Sequence, residues 1–109
     1  MAVVETIICA AIWYKDVVPK RDGLPLRHYL PKNLEYGVVF CGHRHPHCMY
    51  TMVAVTGLAS KPSGIGKEVQ GFLTSENRFV DRTEGAKIHL ANGGTLNYSQ
   101  STLYSEDLY

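Results

Sequence analysis

Gln70-Gly71-Phe72-Leu73-Thr74-Ser75-Glu76-Asn77-Arg78-Phe79-Val80-Asp81-Arg82-Thr83-Glu84 decides the fold of this chain. Glu68 to Ser75 reads as a strand, and Arg78 to Val80 as a short second one, with Ser75-Glu76-Asn77 as a tight polar turn between them. Asp81 then supplies a side-chain acceptor at a helix start, and Glu84 stands three positions later, the spacing of a capping box. Ala86, Ile88 and Leu90 continue as apolar positions before Asn92-Gly93-Gly94, so a helix is expected from Arg82 to Ala91. A hairpin that runs directly into a capped helix points to an antiparallel sheet.

Upstream of this unit, Val3 to Tyr14 is rich in β-branched and aromatic residues and reads as a strand buried on at least one face. Lys15 to Leu34 carries Pro19, Gly23, Pro25 and Pro31, too much punctuation for a regular element, and is expected to cross the surface or a partner subunit. Glu35 to Cys41 returns as a second strand antiparallel to the first. From Pro46 onward Cys48, Met49, Met52, Val53 and Val55 recur at helical spacing, with Pro46 suited to the first turn and Gly57 to the stop. Leu58 to Gly66 is a turn-rich connector, and Thr95 to Tyr109 alternates polar and aromatic residues as one or two further strands would. The order is therefore ββαββαβ: an α+β fold with a mainly antiparallel sheet and two helices.

The 109 residues suit one domain, which spans the whole chain, residues 1–109. Hydrophobic residues at 45% and charged residues at 19% are those of a globular chain. A formal net charge of +1 argues against long nucleic acid as a partner and leaves a small anionic ligand open. The apolar run from Ile7 to Tyr14 falls far short of the roughly 20 residues that span a bilayer. No basic leader precedes it, so no secretory signal is read. Cys9, Cys41 and Cys48, odd in number and sparse, fit a reducing, cytoplasmic compartment rather than a disulfide framework.

Two clusters can carry chemistry. Cys41-Gly42-His43-Arg44-His45-Pro46-His47-Cys48 gathers thiols, imidazoles and a guanidinium. Zinc needs ligands of these types, but the alternating spacing does not make paired knuckles. Catalysis by a histidine pair or a thiol lacks a recognisable carboxylate partner. An anion site fits as well, with Gly42 allowing close approach, Arg44 offering a bidentate fork and the following helix presenting free amides. Against all three stands the reading that the cysteines are core thiols and the histidines cap a helix.

In the second cluster, residues 70–82, Phe72 and Phe79 offer ring faces, Thr74, Ser75 and Asn77 polar groups, and Arg78 and Arg82 cations, the set a nucleotide requires. In a small sheet both phenylalanines are more often core residues than stacking surfaces. Arg82 in a first helical turn opposes the helix dipole, which fits a binding role. Ser63-Gly64-Ile65-Gly66-Lys67 resembles a phosphate loop but lacks its leading glycine and its closing hydroxyl. Trp13 and Tyr14 serve either the core or a subunit contact.

Taken in order, Cys9-Ala10-Ala11-Ile12, Gly42-His43-Arg44-His45, Gln70-Gly71-Phe72-Leu73-Thr74 leading into Asn77-Arg78-Phe79-Val80-Asp81-Arg82, and the terminal Ser105-Glu106-Asp107-Leu108-Tyr109 resemble the first type of phage-encoded Thoeris anti-defence proteins. The resemblance covers most of the chain and leaves the basic loop at 15–34 and the linker at 58–67 as divergent parts. It implies a sponge that sequesters, uncleaved, the cyclic ADP-ribose isomer (glycocyclic ADP-ribose) made by a bacterial TIR-domain enzyme. Cyclic di- or trinucleotides of CBASS-type, cyclase-based immunity are implied as a second ligand class in separate pockets. Also implied are an antiparallel sheet with two helices, a homodimer that builds to a hexamer, pockets between subunits, and a place in the cytoplasm of the infected host. By motif position the resemblance carries Arg44 to phosphate and Phe72 to base stacking, with His43, Thr74, Asn77, Arg78 and Arg82 behind them and Ala10 and Ala11 lining through backbone. It implies no catalytic residue, metal or cofactor. The rival reading is a histidine-dependent, metal-assisted nucleotide phosphodiesterase.

Overall fold

A computed structural model describes residues 4–17, 23–57 and 68–108. β1 (Ile7–Tyr14) sits at the centre, paired antiparallel with β2 (Val38–Gly42) on one side and β3 (Glu68–Thr74) on the other. β4 (Phe79–Asp81) extends the sheet beyond β3, giving the order β2-β1-β3-β4. The expected antiparallel α+β architecture is thus present. The first strand begins at Ile7, with residues 4–6 outside it and Val3 lying outside the described residues, and its pairing with β3 shifts register between Ile7 and Cys9.

Strand alternation sorts the side chains onto two faces. Ala10, Ile12 and Tyr14 of β1 lie beside Phe72 of β3 and Val80 of β4 on one face, all at most 4% exposed. α1 (His45–Thr56) and α2 (Arg82–Ala91) cover this face. They contribute Cys48 and Met52, one helical turn apart, and Ala86 and Ile88, to one core completed by Leu103. α1 stops at Gly57, whose φ of 72° is the left-handed conformation that glycine adopts without penalty. Val55, expected on the buried face, is 63% exposed. α2 starts where the sequence indicates, with the Asp81 carboxylate accepting from the Glu84 amide at 2.8 Å.

The opposite face carries Cys9, Ala11 and Trp13 and is partly covered by residues 23–36. Leu30 is 3% exposed, the Trp13 indole donates to the Tyr36 carbonyl at 2.9 Å, and the Trp13 ring meets Phe79 at 6.1 Å. Asn33 acts as a substitute strand partner, its side chain donating to the Phe79 carbonyl at 2.7 Å and accepting from the Phe79 amide at 2.8 Å. The open edge of β4 is thereby closed. The described part of this loop, from residue 23 onward, packs on the chain's own sheet.

The tail holds no strand among the described residues. Its backbone donors go to side chains instead: Asn97 and Tyr104 amides to the Asp107 carboxylate, Ser101 and Thr102 amides to the Ser99 hydroxyl. Such local bonding competes with a ladder. A 3-10 turn at Ser105–Asp107 ends the segment. The connector expected from Leu58 to Gly66 lies outside the described residues.

Candidate functional site

The sequence-derived site residues fall into separate groups. Phe72 is fully buried, with its ring against Gly85 and Leu103 of the core and its edge toward His45 at 5.2 Å. Its faces are occupied by packing, so this chain presents no stacking surface there. Ala10 and Ala11 are likewise fully buried. Thr74, 1% exposed, donates to the Glu5 carboxylate at 2.6 Å and accepts from the Glu76 and Arg78 amides. Arg78 binds the same Glu5 carboxylate through Nε and Nη2, at 2.8 and 2.7 Å. These two residues fasten the entry of β1 to the β3-β4 turn, where Asn77 takes a φ of 57°.

The histidine cluster forms the start of α1. Arg44 is the residue before the helix, and its amide donates to His47 Nδ1 at 3.2 Å. His43 is exposed, its ring 5.9 Å from that of His47. His45 turns inward, 5% exposed, with Nε2 2.8 Å from the Gly71 carbonyl. A carbonyl can only accept, so Nε2 carries the proton and donates. Burial pushes the His45 pKa down. Among the described residues, no three His, Cys, Asp or Glu side chains are grouped to hold a metal ion.

Arg82 stands beside a cleft formed by the tail, against one of its lining residues, Tyr104. It occupies the first position of α2, its Nη2 donates to Gln70 Oε1 at 2.6 Å, and its guanidinium lies over the Tyr104 ring at 4.9 Å. Its Nε is buried and has no hydrogen-bond partner among the described residues. The tail reaches this position because the Leu103 amide donates to the Arg82 carbonyl at 3.0 Å and the Leu103 side chain enters the core. Asp107 then curls the segment by bonding the Asn97 and Tyr104 amides. Tyr98 and Tyr104 come edge to face, with ring centroids 6.3 Å apart, and with Glu106 they line a cleft of about 360 Å³.

Aromatic faces, a carboxylate and an adjacent guanidinium can hold a flat base, a hydroxyl-bearing sugar and an anion respectively. The alternating tyrosines of the tail were the signal for this site, and reading them as strand positions hides it. A second cleft, about 230 Å³, lies on the other face of the sheet between residues 27–31 and Val39, Cys41, Leu73 and Asn77.

No helix among the described residues is long and apolar enough to cross a membrane. No curated protein and no solved structure matches the chain. A family model described as phage T4 y16D protein matches residues 6–109, which takes in the sheet, both helices and the tyrosine-lined tail. By that match, the chain belongs to the phage T4 y16D protein family.

Proposed function

We propose that this phage-family protein is a sponge that holds a cyclic nucleotide signal without cleaving it, a cyclic ADP-ribose isomer of TIR-based (Thoeris) immunity being the first ligand. The observation that carries the reading is the Arg82 guanidinium stacked on Tyr104 at 4.9 Å, beside the cleft formed with Tyr98 and Glu106. A cleft of about 360 Å³ is near the lower end of small-molecule sites, which start at roughly 300 Å³, and so matches a ligand of nucleotide size. The tyrosines serve the base and Arg82 the phosphate, while Glu106 accepts from ribose hydroxyls. Sequestration requires tight binding alone and no activated water. Cyclic di- and trinucleotides are the second ligand class, and a homodimer building to a hexamer in the cytoplasm of the infected bacterium is the assembly that goes with the reading.

Calorimetric titration with a cyclic ADP-ribose isomer tests it, followed by heating the complex and chromatography of the released nucleotide. Tight binding with unaltered nucleotide is the expected result. A changed product would replace the sponge with a phosphodiesterase, and an absence of binding would overturn the assignment of this ligand.

A further inference from the structure

The face of the sheet away from the tyrosines holds a recess that the nucleotide reading leaves unused. Its base follows from the strand register. Val39 and Cys41 of β2 and Leu73 of β3 stand on either side of β1, where Cys41 faces Ala11 and Leu73 faces Cys9. The β1 side chains between these walls are small, so a trough is left over the strand. Residues 27–31 close one side of it, with Leu30 and Pro31 buried.

That segment is pinned on both sides of the cleft. The Leu30 amide donates to the Leu26 carbonyl at 2.8 Å, the Lys32 amide donates to the Asn77 carbonyl at 2.8 Å, and Asn33 holds both backbone groups of Phe79. The walls of the 230 Å³ cleft are therefore fixed by the backbone.

Arg27, His28, Tyr29 and Asn77 supply the polar part of the lining, to which no Asp or Glu contributes among the described residues. None of these four side chains has a hydrogen-bond partner among the described residues. Arg78 and Arg82, by contrast, are committed to Glu5 and Gln70, and Asn33 to Phe79. Donors without an internal partner thus converge on the rim of a trough whose base is apolar. A cation-bearing rim over an apolar base, with no carboxylate to oppose it, selects for an anion with an apolar body.

We infer that this cleft binds a small organic anion, with a single carboxylate or phosphate head taken by Arg27 and His28 and an apolar body lying on Val39 and Leu73. The guanidinium is always charged and offers paired N–H groups that match two oxygens of either head. The Tyr29 hydroxyl and the Asn77 amide, each both donor and acceptor, orient the ligand. Volume limits the body. Small-molecule sites start at roughly 300 Å³, and this cleft of about 230 Å³ lies below that, so it takes a single ring or a short branched chain and excludes a nucleotide. The apolar base favours such a ligand over a bare ion, because the area it covers is removed from water. The inference does not rest on the nucleotide reading.

The test is an amide NMR titration of the full chain at neutral pH with benzoate and phenyl phosphate as ring-bearing anions, and with inorganic phosphate and benzyl alcohol as the bare head and the bare ring. Saturable shifts at Val39, Cys41, Leu73 and Asn77 are expected with at least one ring-bearing anion, and the tighter of the two identifies the head. Inorganic phosphate and benzyl alcohol should each bind about tenfold more weakly or worse, having lost either the burial or the charge-assisted bond. Arg27→Ala should weaken binding about 10- to 100-fold. Its melting temperature should stay that of the native chain, since Arg27 is exposed and its side chain bonds to none of the described residues. The inference would be overturned by the absence of saturable shifts with both ring-bearing anions, by shifts centred on Tyr98 and Tyr104 instead, by equal binding of the bare head or the bare ring, or by undiminished binding in Arg27→Ala.

Discussion

Arg78 grips Glu5 with two parallel hydrogen bonds, 2.8 Å from Nε and 2.7 Å from Nη2, across 73 residues of sequence. Thr74 donates a third bond to the same carboxylate. Together, led by the Arg78 bonds, they hold the Glu5 pKa at about 2 against an ordinary 4.5. Because the folded value is depressed, the stabilisation is fully present above 4.5 and is lost as pH falls through about 2. Both side chains are partly exposed, so solvent screening limits the contribution to about 1 kcal/mol. Arg78→Ala should lower the melting temperature at neutral pH and flatten its fall between pH 4.5 and 2, which calorimetry across that range would check.

His45 acts in a higher window. Its pKa is lowered from 6.5 chiefly by burial, with Arg82 adding to the effect and the Gly71 carbonyl and Glu106 opposing it. Stability from this residue is complete above 6.5 and declines as pH drops below that value, since the unfolded chain takes up the proton first. A proton-NMR titration of the folded protein should place the His45 midpoint below 6.5. A midpoint above it would contradict the buried, Nε2-protonated imidazole.

Gly71 is required by close packing. A Cβ at this position would lie 2.0 Å from the Val80 carbonyl oxygen and 2.9 Å from the Phe79 ring, and a paired strand cannot give way as a flexible side chain would. Gly71→Ala should therefore part β3 from β4 and cost several kcal/mol, on the order of the 1–3 of an overpacked core or more. Urea unfolding would read it as a shifted midpoint. A wild-type midpoint would show that the β3-β4 pairing is not as tight as the 2.0 Å approach requires.

The local signals in the sequence were strong where one short segment determined its own structure. The Asp81 cap, the left-handed Gly57 stop and the antiparallel hairpins all follow from neighbouring residues, and each is present. What the sequence concealed depends on distant partners. Phe72 by type leans to the core and by resemblance to stacking, and the docking of α2 and Leu103 over it settles that it packs. The tail tyrosines read as strand positions because they are interspersed among polar residues, yet Ser99 and Asp107 take the amides a ladder would have needed. Arg82 and Tyr104 are brought together by the anchoring of Leu103, a contact with no signature in the linear pattern.

Phe72→Ala removes a ring that is fully buried between the sheet and α2, and the cavity left should cost about 3–5 kcal/mol. Thermal melting would show the loss directly. A wild-type melting temperature combined with weakened nucleotide binding would restore a stacking role to Phe72 and remove it from the core.

Arg82 and Tyr104 provide the sharpest test of the cleft. Arg82 stands in the first turn of α2, where its charge opposes the dipole, so Arg82→Ala forfeits little helix stability beyond the bond to Gln70. A charge-assisted hydrogen bond to a bound phosphate contributes about 1.5–3 kcal/mol, so the substitution should weaken binding of a cyclic ADP-ribose isomer roughly 10- to 100-fold. Tyr104→Ala should cost a similar amount through lost stacking, about 1–3 kcal/mol, whereas Tyr104→Phe keeps the ring face and should bind within a few-fold of the native chain. Calorimetric titration of the three variants, with melting curves to confirm folding, separates the contributions. Undiminished binding in both alanine variants would move the ligand away from the tyrosine cleft. The start of α1, where Arg44 precedes the helix and His43 is exposed, would then be the surface to examine.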